Sequence, residues 1–162
     1  MPKVKDYMTT PVVTITKNKS IGEAVEIMNK NNTDGLVVVD EKNNQQKVVG
    51  IVSIFDILSY LVPDYLEKDK HLASFEPSEV FTIRAKVIMN DEVLKCMTSS
   101  HLKTISKDHS LIEAATLMTE HKIHRLPVVD EHNSLIGYLS KSDIQWALGK
   151  IIGSQGKNNQ ES

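Results

Sequence analysis

The sequence predicts a mixed α/β fold built from two tandem β-α-β-β-α repeats, and three observations carry this prediction. The second half of the 162-residue chain restates the first half at a shift of about 90 residues. Each half contains a helix-capping signal followed by apolar residues at helical spacing. Each half then continues with two short apolar runs separated by a polar turn, which is typical of paired strands.

The repeat is clearest in two blocks of sequence. Residues 38–41, Val-Val-Asp-Glu, return unchanged as residues 128–131. Further matches occur in the same order: Met8-Thr9 with Met97-Thr98, and Gly50, Ser53, Asp56 and Ile57 with Gly137, Ser140, Asp143 and Ile144. Because the matches keep their order along the chain, we interpret them as one duplicated unit.

The first long helix of each repeat is predicted from its cap. Ser20 with Glu23, and Ser110 with Glu113, have the spacing of a capping box. Apolar residues follow at helical spacing: Ile21, Ala24, Val25 and Met28 in the first copy, and Leu111, Ala114, Ala115 and Met118 in the second. Both helices are therefore expected to pack one face against a core.

The apolar runs after these helices predict strands. They span residues 36–39 and 48–52 in the first copy, and residues 126–129 and 135–139 in the second. Since they are apolar nearly throughout, we expect them to be buried on both faces. A short extended segment precedes each helix, at 12–16 and 102–105, and a short helix closes each repeat, at 56–61 and 143–148.

These elements divide the chain into four parts. Repeat 1 covers residues 4–62, a mostly helical connector with one or two helices covers 63–92, and repeat 2 covers 93–152. Residues 153–162 are rich in Gly, Asn, Gln and Ser, which predicts a disordered tail. One copy alone buries too little surface to be stable, so we expect the copies to pack through their sheets with pseudo-two-fold symmetry.

Composition narrows the function classes. The 19 Lys and Arg residues nearly balance the 21 Asp and Glu residues, which argues against a nucleic-acid partner. No apolar run is long enough for a membrane span, and the N-terminus lacks the apolar stretch of a signal peptide, so we expect a cytoplasmic protein without a membrane partner. There is no Gly-rich phosphate loop and no nucleophile-base set outside the repeats, so we expect no catalytic residues and no enzymatic activity.

Three motifs then point to a known family. Each copy has a Val-initiated segment ending in Met-Thr, at 4–9 and 93–98, and a Gly-apolar-apolar-Ser-x-x-Asp run, at 50–56 and 137–143. The second copy also contains His-Arg-Leu-Pro-Val-Val-Asp at 124–130. In this order and twice over, the motifs resemble the tandem cystathionine-β-synthase-type (CBS) domain pair, also called a Bateman module. The resemblance covers residues 4–62 and 93–150.

The resemblance implies a ligand and a site. Such pairs bind AMP, ADP, ATP or S-adenosylmethionine in clefts between the repeats, require no cofactor, and associate as homodimers. In the family, the Asp of Ser-x-x-Asp takes the ribose hydroxyls, the Ser and the next residue approach phosphate, and the first extended segment and the second strand enclose adenine. The nucleotide-binding residues implied here are Thr14, Ile15, Gly35, Leu36, Ser53, Asp56, Thr104, Ile105, His124, Arg125, Leu126, Pro127, Ser140, Lys141 and Asp143.

Simpler interpretations exist for several of these residues. Ser53 with Asp56, and Ser140 with Asp143, also fit ordinary helix caps. Arg125 also fits a surface ion-pair residue. His121 and His124 have a spacing compatible with a metal, but no third ligand is evident, so we expect no metal site. The lone Cys96 is interpreted as a small half-buried side chain.

The two copies differ where phosphate would bind. The first copy has Asp34-Gly35 where the second has His124-Arg125, and an acid at this place repels phosphate, so we expect unequal affinities. The function predicted is that of an adenine-nucleotide sensor that acts in trans on an unidentified effector protein. The alternatives are a structural or protein-interaction CBS pair without nucleotide binding, and a member that binds S-adenosylmethionine.

Overall fold

A computed structural model of the chain describes residues 1–158, which form two compact units. Unit 1 consists of Met1–Val12, Gln45–Lys47 and the residues from Lys103 onward, and unit 2 consists of Val13–Asn44 and Val48–Leu102. The units do not coincide with the sequence copies. The Met-Thr segment of each copy instead lies in the unit built mainly from the other copy.

The elements follow the order expected from the repeat. The first half of the chain forms α1 (Val4–Tyr7), β1 (Thr14–Thr16), α2 (Ile21–Lys30), β2 (Gly35–Lys42), β3 (Gln45–Ser53) and α3 (Ile54–Leu61). The connector forms α4 (Asp64–Lys68), a 3-10 turn (Lys70–Phe75) and α5 (Val80–Ile88). The second half forms a 3-10 turn (Val93–Lys95), β4 (Ile105–Ser106), α6 (Leu111–His121), β5 (Arg125–Val129), β6 (Leu135–Ser140) and α7 (Lys141–Asn158).

Two three-stranded sheets confirm the predicted fold class. Their strand orders are β1-β2-β3 and β4-β5-β6. The first two strands of each sheet are parallel, with Thr14 opposite Val37 and Ile105 opposite Val128. In unit 1, β5 and β6 are antiparallel. Each sheet packs against its own core, centred on Leu36 and Val52 in unit 2 and on Leu126 and Leu139 in unit 1.

Serine side chains cap the first turns of the helices and fix where these helices begin. The Ser20 and Ser110 hydroxyls accept from the backbone N–H of Glu23 and Glu113, at 3.1 and 3.3 Å, as the capping boxes predict. The closing helices begin two residues earlier than expected, because Ser53 and Ser140 stand immediately before the first helical turn.

The last helix is also longer than the sequence indicates. It continues through residues 153–158, where we predicted a disordered tail, and residues 159–162 lie outside the described part of the chain. No helix within the described residues combines the length and the apolar character needed to cross a bilayer.

The burial of the strands differs from the prediction in one respect. All of the apolar residues of β2 and β5 are buried, but β3 and β6 alternate between buried and half-buried positions. In β3, for example, Val52 is fully buried whereas Ile51 is half-buried. The expectation of burial on both faces is therefore wrong for β3 and β6, because the core residues of the helices pack against one face of each sheet.

Candidate functional site

The Met-Thr segments extend the sheets by backbone pairing. In unit 1, the Thr9 N–H donates to the Tyr138 carbonyl at 2.7 Å, and the Tyr138 N–H donates to the Thr9 carbonyl at 3.1 Å. In unit 2, Thr98 and Ile51 exchange the same two bonds, at 2.8 and 3.0 Å. Each segment therefore lies along the outer edge of the third strand of its unit.

The pairing brings a threonine hydroxyl to each predicted ribose-binding aspartate. Thr9 Oγ1 donates to Asp143 Oδ1 at 3.1 Å, and Thr98 Oγ1 donates to Asp56 Oδ1 at 3.1 Å. We call these contacts the Thr-Asp pairs. Neither threonine was among the predicted site residues, although Met-Thr recurs in both copies and was available as a signal.

The other carboxylate oxygen caps a helix. Asp143 Oδ2 accepts from the Ser140 N–H at 2.7 Å and from the Ser140 hydroxyl at 3.0 Å. Asp56 accepts the same two bonds from Ser53, at 2.8 and 3.1 Å. The capping interpretation is thus present in the structure. A carboxylate has about four lone-pair positions, and three are used, so one acceptor position remains for a ligand hydroxyl.

Close packing explains the glycine that precedes Ser-x-x-Asp. A Cβ added to Gly137 would lie 2.5 Å from the sulfur of Met8, and one added to Gly50 would lie 2.9 Å from the sulfur of Met97. Both distances are shorter than carbon and sulfur tolerate. At Gly50 the added carbon would also lie 3.0 Å from the Thr98 backbone carbonyl, whereas at Gly137 the close atoms belong to the flexible Met8 side chain. The requirement for glycine is therefore stricter at Gly50.

Unit 1 gathers polar groups on one face of its sheet. Arg125 lies opposite Ser140 and Pro127 lies opposite Tyr138, so these four side chains share a face. Burial raises the pKa of Tyr138 to about 12, the Arg125 charge opposes this rise, and the Asp143 charge adds to it. Arg125, Tyr138 and Asp143 are therefore neighbours. Sequence analysis missed Tyr138, because its counterpart in the first copy, Ile51, carries no polar group.

Unit 2 has no cation at the corresponding place. The counterparts of Arg125 and Tyr138 are Gly35 and Ile51, and Gly35 is buried. Burial, with a further contribution from the Asp56 charge, raises the pKa of Cys96 to about 11. The Cys96 thiol is consequently neutral near pH 7. Asp56 thus has an apolar and neutral setting, whereas Asp143 has a cationic neighbour.

Several predicted contacts have their side chains in the cores. Ile15, Leu36, Ile105 and Leu126 belong to the buried clusters of their units, so only their backbone atoms are placed to meet a ligand. Thr14 is half-buried and lines a cavity of about 400 Å³ beside α2, together with Lys19 and Glu23. Thr104 is half-buried and immediately precedes β4.

The predicted phosphate contacts divide into two groups. Arg125 and Ser140 lie together on the sheet face. His124 and Lys141 instead line a cavity of about 320 Å³ between α6 and α7, where the Lys141 N–H donates to the His124 carbonyl at 3.0 Å. Within residues 1–158, no group of three His, Cys, Asp or Glu side chains is arranged to hold a metal ion.

The chain was compared with known proteins. The CBS domain family model matches residues 4–63 and 88–150. An uncharacterized protein of Methanocaldococcus jannaschii, MJ1426, is 30% identical over 157 residues, which cover 90% of each chain. A second uncharacterized protein of this organism, MJ1404, is 35% identical over 142 residues, which are 88% of this chain but only 31% of that protein.

Solved structures share the fold. CBSX2 of Arabidopsis thaliana, in a complex with AMP, has a TM-score of 0.69 at 28% identity, with 93% of this chain and 98% of that chain covered. The CBS domain pair of protein MJ0100, in a complex with 5′-methylthioadenosine and S-adenosyl-L-methionine, has a TM-score of 0.69 at 26% identity, with the same coverage.

Proposed function

Because the chain belongs to the CBS-domain family, we propose that it is a regulatory module that binds an adenine nucleotide and catalyses no reaction on it. The observation that carries this proposal is that Arg125 and Tyr138 share a sheet face of unit 1 with Ser140, whose hydroxyl donates to the Asp143 carboxylate at 3.0 Å. A guanidinium beside a carboxylate offers a phosphate donor and a hydroxyl acceptor at one place. AMP and S-adenosylmethionine are bound by relatives of similar fold, which supports an adenosyl ligand.

The residues have separate roles in this proposal. Asp143 accepts a ribose hydroxyl at its remaining acceptor position, since a carboxylate binds vicinal hydroxyls well. Arg125 donates to phosphate, because its guanidinium is permanently charged and matches phosphate oxygens in a bidentate geometry. Ser140 lies on the same face as Arg125. Thr104 immediately precedes Ile105, which pairs with Val128 of β5, whereas His124 and Lys141 line the separate cavity between α6 and α7.

The two units differ in the charge of the ligand that they favour. With Gly35 in the place of Arg125, unit 2 has no donor for phosphate, and the exposed Asp34 adds negative charge next to it. We therefore propose phosphate-dependent binding in unit 1. S-adenosylmethionine is the second candidate for unit 2, because its sulfonium is positive and favours a carboxylate such as that of Asp34.

The proposal is tested by calorimetric titration with adenosine, AMP, ADP, ATP and S-adenosylmethionine, with thermal unfolding as a second measurement. A ligand at about a hundredfold excess over its Kd adds about 2.7 kcal/mol to the free energy of unfolding. Arg125→Gly installs the residue of the first copy, and we expect its loss of affinity to grow from adenosine to ATP. Asp143→Ala is expected to cost about 1.5–3 kcal/mol of binding free energy.

Asp56→Ala is the matched control for Asp143→Ala. It removes the same cap and the same threonine contact in unit 2, so it corrects for effects on folding. Equal losses of adenosine and ATP affinity in Arg125→Gly contradict the phosphate role. If none of the ligands raises the midpoint of the wild type, the chain is a structural or protein-interaction pair.

We further propose that the module works as a homodimer that signals to an effector protein in trans. Apolar side chains stand exposed on the closing helices, with Phe55 76% exposed on α3 and Trp146 and Leu148 55% and 56% exposed on α7. Exposed aromatic and aliphatic groups of this kind favour association. Light scattering at several concentrations measures the oligomeric state, and a strictly monomeric mass for the wild type contradicts this proposal.

A further inference from the structure

The cavity between α6 and α7 has an apolar interior. Its walls include Ala115 and Met118 of α6, Ile123, and Ile144 of α7, and its volume is about 320 Å³. This volume lies within the range of small-ligand pockets.

The rim of the cavity is cationic. It carries Lys122, His124 and Lys141, and no Asp or Glu side chain lines the cavity. In the described part of the chain none of these three side chains forms a salt bridge. An apolar interior with positive charge at its mouth fits a ligand with an apolar body and an anionic head.

Lys122 adopts a backbone conformation that does not favour lysine. Lys122 ends α6 in the left-handed region, with φ of 53°, and the corresponding residue of the first copy, Asn32, has φ of 50°. Asn is among the residues that tolerate this region best, and Lys is not. The second copy therefore carries a less suitable residue here, and what it adds is a positive charge at the rim.

The interior favours an alkyl chain over a nucleobase. Thr119 is the polar side chain of α6 that lines the cavity, and its hydroxyl already donates to the carbonyls of Ala115 and Thr116, at 3.0 and 3.1 Å. A base placed against these walls would leave its N–H donors and ring acceptors without partners, which is costly. An alkyl chain has no such requirement.

We propose that this cavity binds a medium-chain carboxylate. The alkyl chain lies against Ala115, Met118 and Ile144, and the carboxylate is held by the charges of Lys122 and Lys141 beside the His124 ring. This site is separate from the Arg125 face and does not depend on the nucleotide proposal. The first copy lacks it, because Asn32, Asp34 and Ile54 occupy the positions of Lys122, His124 and Lys141.

The probe is decanoate, compared with acetate as the head alone and decanol as the tail alone. We expect saturable calorimetric binding of decanoate, with at least tenfold weaker binding of acetate and decanol. In a methyl-labelled sample, the Met118 ε-methyl signal should shift with decanoate while that of Met28, its counterpart in unit 2, stays in place. AMP in place of decanoate should leave the Met118 signal unmoved.

The decisive variant is Lys122→Asn, with Lys30→Asn on α2 as the matched control. Because Asn suits the left-handed region, Lys122→Asn should keep or raise the midpoint of urea unfolding while weakening decanoate at least fivefold. Lys30→Asn should leave decanoate affinity unchanged. Ala115→Leu, which fills the cavity, should also weaken decanoate, and Val25→Leu at the equivalent place of α2 should not.

The proposal is overturned by the absence of saturable decanoate binding to the wild type, or by wild-type affinity for decanoate in Lys122→Asn. Arg125→Gly distinguishes a failure of the nucleotide proposal from a failure of this one. Arg125 does not line the cavity, so this variant is expected to leave decanoate affinity unchanged. Equal binding of decanoate and decanol assigns the cavity to neutral apolar ligands and likewise overturns the carboxylate.

Discussion

The two Thr-Asp pairs have the same geometry and different surroundings. Thr9 donates to Asp143 and Thr98 to Asp56, both at 3.1 Å, and each threonine sits along the edge of a strand beside a glycine and a methionine sulfur. Around Asp143 stand Arg125 and Tyr138, whereas the corresponding positions around Asp56 are Gly35 and Ile51.

The comparison of the two units distinguishes residues that support the fold from residues that we propose to bind a ligand. The hydrogen bonds that hold the Met-Thr segments recur in both units. Because the surroundings of the two segments differ, we interpret these bonds as contributions to folding rather than to ligand binding. The cations Lys122, Arg125 and Lys141 occur in unit 1, and their counterparts in unit 2 are the uncharged Asn32, Gly35 and Ile54. Comparing equivalent substitutions in the two units therefore distinguishes a structural effect, which is the same in both, from a ligand effect, which is not.

The largest structural effect is expected at the two glycines. Gly50→Ala and Gly137→Ala place a Cβ 2.9 and 2.5 Å from a methionine sulfur. Gly50→Ala should lower the free energy of unfolding by about 1–3 kcal/mol, and Gly137→Ala should lower it by less. Urea unfolding measures the change. The methionine is flexible at Gly137, but at Gly50 the backbone carbonyl of Thr98 also lies 3.0 Å from the added carbon.

Gly149→Ala is the control for the glycine variants. Gly149 lies in α7 with no other atom within 4 Å of the added carbon, so this change should raise the free energy of unfolding by up to about 1 kcal/mol through helix propensity. A stabilised Gly50→Ala or Gly137→Ala would show that the close approach of the Met-Thr segments is not required.

A smaller effect is expected from the threonine hydroxyls. Thr9→Val and Thr98→Val remove one donor to a carboxylate at a partly exposed place, and each should cost about 1 kcal/mol of unfolding free energy. The exposed Thr82 on α5 supplies a control, Thr82→Val. In the absence of ligand, both variants are expected to lose the same unfolding free energy. A loss in only one of them would show that the two Thr-Asp pairs are not equivalent.

With nucleotide present, the same variants test whether the threonine hydroxyl occupies an acceptor position that the ligand needs. Thr9→Val frees an acceptor position on Asp143 without touching Arg125, so it should leave nucleotide affinity equal or raise it. Calorimetric titration of Thr9→Val and Thr98→Val with AMP measures this difference. A marked loss of AMP affinity in Thr9→Val would mean that the Thr9 hydroxyl itself contacts the ligand.

The smallest effect concerns the capping boxes. The backbone N–H of Ser20 lowers the pKa of Glu23 from its ordinary value of 4.5, and that of Ser110 does the same for Glu113. A lowered folded-state pKa means that the stabilisation is present above about pH 4.5 and is lost as the pH falls through the folded value. Glu23→Gln and Glu113→Gln should therefore differ from the wild type at pH 7 and converge with it in acid.

Urea unfolding at intervals from pH 7 to pH 3 measures this convergence. The two units should again behave alike, because both carboxylates are exposed and both accept from their capping serine at 2.8 Å. A variant that remains equally destabilised at pH 3 would show that packing of the side chain, rather than its charge, is what matters.

Local regularities in the sequence determined the elements. The Ser-x-x-Glu spacing predicted the starts of α2 and α6, and the apolar runs predicted all four long strands, because capping and strand pairing depend on residues that are close in sequence or alternate in a simple pattern. The difference between Asp34-Gly35 and His124-Arg125 was also visible, since it needs only the alignment of the two copies.

Only the tertiary structure decided which residues meet. It placed Met8-Thr9 against Gly137 and Asp143, and Met97-Thr98 against Gly50 and Asp56, so that each pair joins residues from different sequence copies. It also placed Arg125 on the sheet face that carries Tyr138 and Ser140, and His124 in the cavity between α6 and α7, although the two are adjacent in sequence. The reason is physical: neighbouring residues of a strand point to opposite faces, and long-range contacts depend on the packing of whole elements.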